Sequence, residues 1–342
     1  MQNSRVAMVG IGFFVAGIAT ASVLPLPMFI IVVLGVCVGV GIGYAFLDRR
    51  AGIMAFWLCL LLFGVLRISQ GPVSFLFLDS YIHPLVSVRD MFVSNLLHAL
   101  PEPHASYIAG VLVGVRATIP YDLREAFRRT GTSHILALSG YNVTILARAL
   151  ESIFASTWLA AFVIFLFVLA TGAASSLVRA AIMGMIVLLA KSNKRDYSAP
   201  HALAVAVFLM LAADPTILFG DIGFQLSVAA TLGLIYFECP IGARLMFVPK
   251  TLRFRDALAS TLAAEAATLP IILWYFGFFS LFAPIVNMLV LPTIPAVMLT
   301  GFLTGSIGFI SNALAQIFAW PTYLFASYQI FIIKFFAGIS IF

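Results

Sequence analysis

The sequence predicts an all-α polytopic membrane protein with about eleven transmembrane helices, some of them re-entrant or broken. Hydrophobic residues make up 63% of the 342 residues, whereas soluble domains contain roughly 45–50%. Charged residues make up only 9%, against about 25% in soluble domains. A water-soluble surface cannot be built from so few charges, so the composition excludes a soluble enzyme or a soluble binding domain.

Apolar runs bounded by polar residues or by Gly and Pro mark the predicted spans. They lie at about 6–24, 26–47, 51–67, 133–154, 157–173, 175–191, 200–213, 222–238, 256–279, 284–308 and 313–337. The first is predicted to be a retained anchor. A cleaved signal peptide is the alternative, because small residues follow its apolar run at 19–21.

Lys and Arg cluster in three loops, at 49–50, 191–195 and 244–255, which the positive-inside rule assigns to the cytoplasm. The N-terminus is then inside, and both the C-terminus and residues 68–132 are outside. Within that external stretch, the apolar run from Ala105 to Val115 is too short to cross and is predicted to be re-entrant or interfacial. A short amphipathic helix follows at Tyr121 to Arg129, opened by Pro120 and closed by Gly131.

Residues 130–146 place unusual polar groups in an apolar run: His134, Ser139 and Asn142, with Gly140 among them. On a helix these three side chains fall within an arc of roughly 140°, so one face is polar. Such a face avoids lipid. It either packs by hydrogen bonds against neighbouring helices or lines a path, with Gly140 allowing a break in the helix.

Two charged residues also lie inside predicted spans. Arg179 is about a turn inside its span and either reaches the outer surface or faces the same path. Glu265 is near the middle of the 256–279 span, where an acid is functional by default. It is either protonated, paired with Arg179 or Arg148, or hydrogen-bonded as packing.

Three further polar residues stand where helices begin or break. Asp221 is predicted to cap the next span, which Gln225 then enters. Pro270 weakens the Glu265 span, and Asn287 lies near Pro284 in a span that also contains Pro292 and Pro295. These weakened helices favour the cavity interpretation.

A group of arginines precedes the polar segment on the outer side. A solvated helix face is the simpler interpretation, but a phosphate backbone also needs such an electrostatic funnel, with aromatic rings for stacking. The arginines are Arg116, Arg124, Arg128 and Arg129, and the nearby rings are Tyr121, Phe127 and Tyr141.

Four motifs in order resemble the transmembrane competence domain of the ComEC family. HILALSGYNV at 134–143 is similar to the family's HLLAISGLHV, and FRRTGTSH at 127–134 introduces it. SLVRAAIMG at 176–184 is similar to S-x-x-RA-x-x-MG. The patterns around GFQLS at 215–229, and from Thr268 to Pro292, complete the set.

The resemblance implies a channel of the bacterial cytoplasmic membrane that takes up single-stranded DNA during natural transformation. The residues lining or shaping the passage would include His134, Ser139, Asn142, Arg179, Asp221, Gln225, Glu265 and Asn287, with the four arginines contacting phosphates. It implies no catalytic residue, cofactor or metal. The partners would be single-stranded DNA, the lipid bilayer and other competence proteins, and homo-oligomerisation is left open.

The domains would be N-terminal helices at 1–67, a short external segment at 68–103, the channel domain at 104–310 and a C-terminal helix at 311–342. Asn142 departs from the family, which commonly has His there, and 68–103 is too short for the family's external OB-like domain. The alternatives are a proton-coupled transporter of a small solute using Glu265 and His134, an intramembrane hydrolase using Ser139, and a remnant that depends on a partner.

Overall fold

The computed structural model describes residues 2–23, 49–69, 79–136, 142, 145, 157–249 and 254–339, and every regular element in them is helical. The α-helices are α1 Gln2–Val23, α2 Arg49–Ser69, α3 Asp79–Ala99, α4 His104–Val113, α5 Tyr121–Arg129, α6 Thr157–Ala170, α7 Ser175–Ser192, α8 Ala199–Ala213, α9 Ile217–Gly220, α10 Ile222–Arg244, α11 Phe254–Phe276, α12 Ala283–Val290, α13 Ile294–Ile307 and α14 Asn312–Ile339. Short 3₁₀ turns lie at Ser133–Ile135 and Leu291–Thr293.

Five helical segments of the described residues are long and apolar enough to cross a membrane. They are Ser175–Ser192, Ile222–Arg244, Phe254–Phe276, Ala283–Ile307 and Asn312–Ile339, and each coincides with a predicted span. Five shorter apolar helical segments accompany them. These findings agree with a helical membrane protein. The full number of spans stays a prediction, since residues 24–48 and most of 137–156 lie outside the described part.

The chain divides into two compact units. The first comprises Met1–Leu76 and Met185–Val228, and the second comprises Phe77–Gly184 and Ala229–Phe342. The first unit is built on close contact between α1 and α2. A Cβ on Gly17 would overlap the Leu61 carbonyl oxygen, and one on Gly64 would overlap that of Phe14. Glycines therefore allow two backbones to touch, as in many membrane helix pairs.

The end of α8 in the first unit is held by a buried arginine of α2. The Nε and Nη2 atoms of Arg67 donate to the carbonyl oxygens of Ala212 and Ala213, both at 2.6 Å. Arg67 is only 5% exposed. Because the last carbonyls of a helix have no partner within the helix, the guanidinium satisfies groups that would otherwise be costly to bury.

The second unit is organised around α4, whose residues from Ala105 to Leu112 are all buried. The helix is apolar on every side, which suits a helix enclosed by protein. Gly301 of α13 lets Ile108 and Leu112 approach, since a Cβ there would lie 2.8 Å from the Ile108 side chain. The ten-residue helix is too short to span, as predicted, and it is enclosed by protein rather than lying open at a surface. A re-entrant position in the membrane stays a prediction.

The segment predicted to be external, 68–103, contains α3 in its described part. Phe92 of α3 packs on Phe302 with ring centroids 6.1 Å apart, and Asn95 donates to the Gly305 carbonyl at 3.1 Å. These contacts join α3 to α13. The assignment of 68–103 as a separate domain stays a prediction.

A break divides the segment that contains Asn287. α12 ends at Val290, and the 3₁₀ turn Leu291–Thr293 leads into α13. Pro292 lacks the backbone N–H that a continuous helix would need. Gln329 of α14 donates to Thr293 Oγ1 at 2.6 Å, and Tyr107 of α4 donates to Gln329 Oε1 at 2.5 Å. The predicted broken helix is confirmed here, and side chains from two other helices hold the break.

Candidate functional site

α5 places its arginines on an exposed face. Pro120 precedes the helix, and Gly131, with φ of 68°, follows it in the left-handed region that favours glycine. The predicted bounds of Tyr121 to Arg129 are therefore confirmed. Leu123, Ala126 and Phe127 form the buried face. Phe127 is 0% exposed, so the prediction that it offers a stacking surface is wrong.

All four predicted arginines use part of their donor capacity on the protein itself. Arg116 Nε donates to the Leu136 carbonyl at 3.1 Å, and Arg124 Nη2 donates to the Ile119 carbonyl at 3.1 Å. Glu125 accepts from Arg128 at 2.7 Å and from Arg129 at 3.1 Å. A guanidinium has five N–H donors, so these contacts orient the groups and leave further donors for a ligand.

Glu125 has an electrostatic environment dominated by this pairing. Hydrogen bonds from Arg128 and then Arg129 lower the pKa of its carboxyl to about 2. The same contact raises the pKa of Arg128. Since one carboxylate serves two guanidinium groups, the end of α5 keeps an excess of positive charge.

His134 does not share a helix face with Asn142 in the way the sequence predicted. His134 lies in the 3₁₀ turn Ser133–Ile135, where its Nδ1 donates to the Gly131 carbonyl at 3.3 Å, and it is exposed. The prediction that His134 follows the α-helical period of this span is wrong, because residues Ser133–Ile135 form a 3₁₀ turn. Ser139 and Tyr141 lie outside the described residues.

Asn142 is 4% exposed, and its Nδ2 donates to the Val111 carbonyl of α4 at 3.1 Å. The amide therefore binds the core helix, as the packing interpretation requires. His134 at the surface and Asn142 in the interior occupy different environments, so these two residues do not form one continuous polar face in the described part of the chain.

Arg179 and Glu265 are not paired. Arg179 of α7 is 8% exposed, and its Nη1 donates to Thr231 Oγ1 of α10 and contacts Met183 Sδ at 3.6 Å. It therefore does not reach the surface, and of the alternatives left open for Glu265, an ion pair with Arg179 is not observed. Glu265 of α11 is half-buried, and within the described residues no hydrogen bond or ion pair reaches its carboxylate. Arg148 lies outside that part.

Two buried polar atoms near the start of α12 have no hydrogen-bond partner among the described residues. They are Asn287 Oδ1 and Ser280 Oγ. Asn287 is 2% exposed and Ser280 8%. Buried polar groups without a partner are rare in folded proteins because leaving them unpaired is costly. This agrees with a polar role for Asn287.

Asp221 and Gln225 belong to the first unit. The Phe224 amide donates to Asp221 Oδ1 at 3.1 Å, so the predicted helix cap is confirmed. Gln225 Nε2 donates to the Leu218 carbonyl at 3.0 Å, which ties the start of α10 to α9. Both side chains thus have structural contacts at the beginning of α10.

A cleft of about 450 Å³ lies between α10 and α11, away from the predicted site residues. It is lined by Leu234, Glu238, Cys239, Gly242, Arg255, Asp256 and Ala259. Within the described part of the chain, no three His, Cys, Asp or Glu side chains come together as metal ligands.

Sequence reasoning also missed the exposed aromatic residues that follow Glu265 along α11. Trp274 is 85% exposed, and Arg128 lies over the Phe278 ring with 4.6 Å to the centroid. The sequence signal is the run LWYFGFF at 273–279, whose aromatic residues lie at the end of a predicted span and within the family pattern from Thr268 to Pro292.

Comparisons with known proteins agree with the resemblance. ComE operon protein 3 of Bacillus subtilis (strain 168) is 29% identical over 236 residues, which cover 66% of this chain and 29% of that relative. The uncharacterized protein YcaI of Escherichia coli (strain K12) is 26% identical over 240 residues, which cover 63% of this chain and 31% of that relative. The chain therefore spans about 30% of the length of the curated relatives it matches. No solved structure matches it.

The family described as Competence protein matches residues 111–342, which is more than half of the chain. The match includes α5 and every later helix, and it contains all of the predicted site residues. The chain belongs to the ComEC-type family of competence proteins.

Proposed function

We propose that this chain forms the membrane-spanning part of a channel that takes up single-stranded DNA during natural transformation. The observation that carries the proposal is the competence-family match over residues 111–342. Within that region, helices long enough to cross a membrane accompany an exposed arginine-bearing helix, α5. The combination suits a polyanion that must be attracted at a surface and then passed through apolar surroundings.

The arginines of α5 would make the first contact with DNA. Arg128 and Arg129 have side chains 51% and 45% exposed and share one carboxylate, so each keeps N–H donors beyond those bound to Glu125. Guanidinium groups bind phosphate oxygens through paired N–H donors. Binding releases counterions from the strand, and the free energy gained by this release decreases as the salt concentration rises.

We further propose that no residue performs covalent chemistry. The channel would reduce the cost of desolvating phosphates by presenting polar groups such as Arg179 and Asn287 inside the membrane. The driving force would come from other competence proteins. Proton-coupled solute transport is not favoured by the competence-family match.

The proposed location is the cytoplasmic membrane of a bacterium, with the N-terminus inside and the C-terminus outside. Two contacts in the second unit support placing the segments predicted to be external on one side of the membrane. Lys334, near the end of α14, binds Asp122 of α5 at 3.1 Å, and Arg128 contacts Phe278 beyond the end of α11. All three segments are predicted to be external, and they meet.

Transformation of the native bacterium tests the proposal. Deleting the gene is expected to stop labelled DNA from reaching the cytoplasm while leaving it bound at the cell surface. Complementation with Arg129→Gln should restore uptake only in part, since one phosphate contact is lost while Glu125 keeps Arg128. Arg195→Gln makes the same charge change in a loop predicted to be cytoplasmic and serves as the matched control. Full uptake in the deletion strain would overturn the proposal.

A further inference from the structure

The segment that joins α11 to α12 presents an uncovered group of aromatic side chains. Gly277, with φ of 68°, ends α11. Leu273, Trp274, Tyr275 and Phe276 are 48%, 85%, 42% and 51% exposed. Consecutive residues of a helix point about 100° apart, so four exposed neighbours mean that the last turn of α11 is uncovered around most of its circumference. Residues 274–279 are called the aromatic turn below.

The aromatic turn lies directly beside the end of α5. The guanidinium carbon of Arg128 is 4.6 Å from the centroid of the Phe278 ring. Just beyond the turn, Ser280 and Ala283 lie against Gly131, where an added Cβ would be 2.7 Å from the Ala283 Cβ. Phe278 of the aromatic turn and Arg128 of α5 therefore lie side by side in the second unit, with Trp274 four positions before Phe278 in the chain.

The aromatic turn and the adjoining end of α5 carry more positive than negative charge. The chain contains no Asp or Glu after Glu265, so the aromatic turn has no carboxylate of its own. The nearest acid on α5, Glu125, is already bound by Arg128 and Arg129. Because one carboxylate serves two guanidinium groups, a net positive charge remains beside the rings. Aromatic rings next to such arginines are typical of surfaces that bind single strands, where bases stack on aromatic faces and arginines follow the phosphates.

We propose that the aromatic turn, with Trp274 as its main contact, is a stacking platform for the bases of single-stranded DNA that arrives at Arg128 and Arg129. The inference rests on the proposed function and adds to it a contact to bases, which the arginines alone do not provide. Trp274 takes the role predicted for Phe127, whose ring is buried. Because every base has an aromatic face, the platform accepts any sequence.

Binding by the purified full chain in detergent or nanodiscs tests the inference. The probes are a 12-nucleotide oligothymidylate and an abasic strand of the same length, which has the same phosphates without bases. Trp274→Ala and Trp274→Leu are expected to weaken oligothymidylate binding by about fivefold or more and to leave abasic binding unchanged. Trp274→Phe should keep most of the affinity. Trp320→Ala, at another exposed tryptophan of the second unit, is the matched control.

The outcomes separate the two proposals. Equal binding of both strands by the wild-type chain would overturn the stacking platform and leave an electrostatic DNA channel in place. Full affinity in Trp274→Leu would also overturn it, because an apolar anchor in the bilayer interface tolerates leucine whereas base stacking does not. No binding of either strand would contradict the proposed function itself. Unchanged abasic binding in each variant shows that the protein has folded.

Discussion

The ammonium group of Lys334 on α14 donates to the Asp122 carboxylate on α5 at 3.1 Å, across 212 positions of sequence. This hydrogen bond, followed by one from the Leu123 backbone, lowers the pKa of Asp122. The last helix of the chain is thereby tied to the helix that bears three of the candidate DNA-binding arginines. The charges of α5 are thus set by pairing both within the helix and with a distant partner.

Glu125 is expected to stay ionised at pH values where an ordinary glutamate is largely protonated. Its pKa is lowered to about 2 in the folded chain by Arg128 and Arg129. A lowered pKa means that the pairing stabilises the fold at pH values above the ordinary glutamate pKa and that this stabilisation is lost as the pH falls toward about 2. Carbon NMR of labelled glutamate, with Glu125→Gln for assignment, measures the titration. A midpoint near the ordinary value of 4.5 would contradict the pairing.

Glu125→Gln is expected to raise affinity for single-stranded DNA. The substitution removes the carboxylate that holds Arg128 at 2.7 Å and Arg129 at 3.1 Å, so both groups become available to phosphates. Each added phosphate contact steepens the dependence of log affinity on log salt by about 0.7 for a single strand. Salt titrations of oligonucleotide binding measure both effects. Asp90→Asn, which frees Arg89 on α3, is the control, and a similar gain there would show a general charge effect.

Tyr107→Phe is expected to destabilise the second unit by about 1–3 kcal/mol, because it leaves the buried Gln329 Oε1 without a donor. Both residues are 0% exposed. Gln329→Met should also destabilise the second unit. The double variant should lose less free energy of unfolding than the sum of the two single variants, because neither partner of the hydrogen bond is then left unpaired. Thermal or denaturant unfolding in detergent provides the measurement. Additive losses would show that the two side chains act independently.

Gly17→Ala and Gly64→Ala are expected to destabilise the first unit, by about 1–3 kcal/mol each. The new methyl groups would meet the carbonyl oxygens of Leu61 and Phe14. Gly12→Ala, on α1 like Gly17, is the control, because nothing lies within 4 Å of its added Cβ. Alanine is the better helix former, so the control should be neutral or stabilising. The free energy of unfolding of the three variants is measured under the same conditions. Equal values for all three would exclude close α1–α2 contact.

Glu265→Gln tests whether DNA uptake requires a proton-binding group inside the membrane. A channel gains nothing from an intramembrane carboxylate when its cargo is a polyanion, so uptake of labelled DNA should be unchanged. A coupled transporter requires a group that binds and releases a proton, and the amide cannot do so. Glu238→Gln on α10 is the control. Loss of uptake in Glu265→Gln alone would favour proton coupling.

The elements that sequence predicted best have strong local signals. Pro120 and Gly131 fix the ends of α5 through their own backbone preferences, and long apolar runs fix the five helices that could span a membrane. The cap at Asp221 is equally local. In each of these cases the residues that decide the structure are neighbours in the chain.

The wrong predictions concern positions whose structure depends on residues that are distant in the sequence, or positions where the α-helical repeat is interrupted. A constant helical period from His134 to Asn142 predicts one polar face, although the 3₁₀ turn at Ser133–Ile135 departs from that period. No pattern of neighbouring residues predicts that Tyr107 contacts Gln329, which lies 222 positions later in the chain. The burial of Phe127 could have been found, since it lies on the same face of α5 as Leu123.

The complete enclosure of α4 has a consequence for biogenesis. Ile108 and Leu112 lie against Gly301, which a ribosome adds about 190 residues later, or roughly 10–40 s at typical rates of synthesis. During that interval the ten residues of α4 have left the translation machinery without the helices that will surround them. The nascent segment must therefore wait in lipid, in the insertion machinery or with a chaperone, and loss of α14 would leave it permanently without its final neighbours.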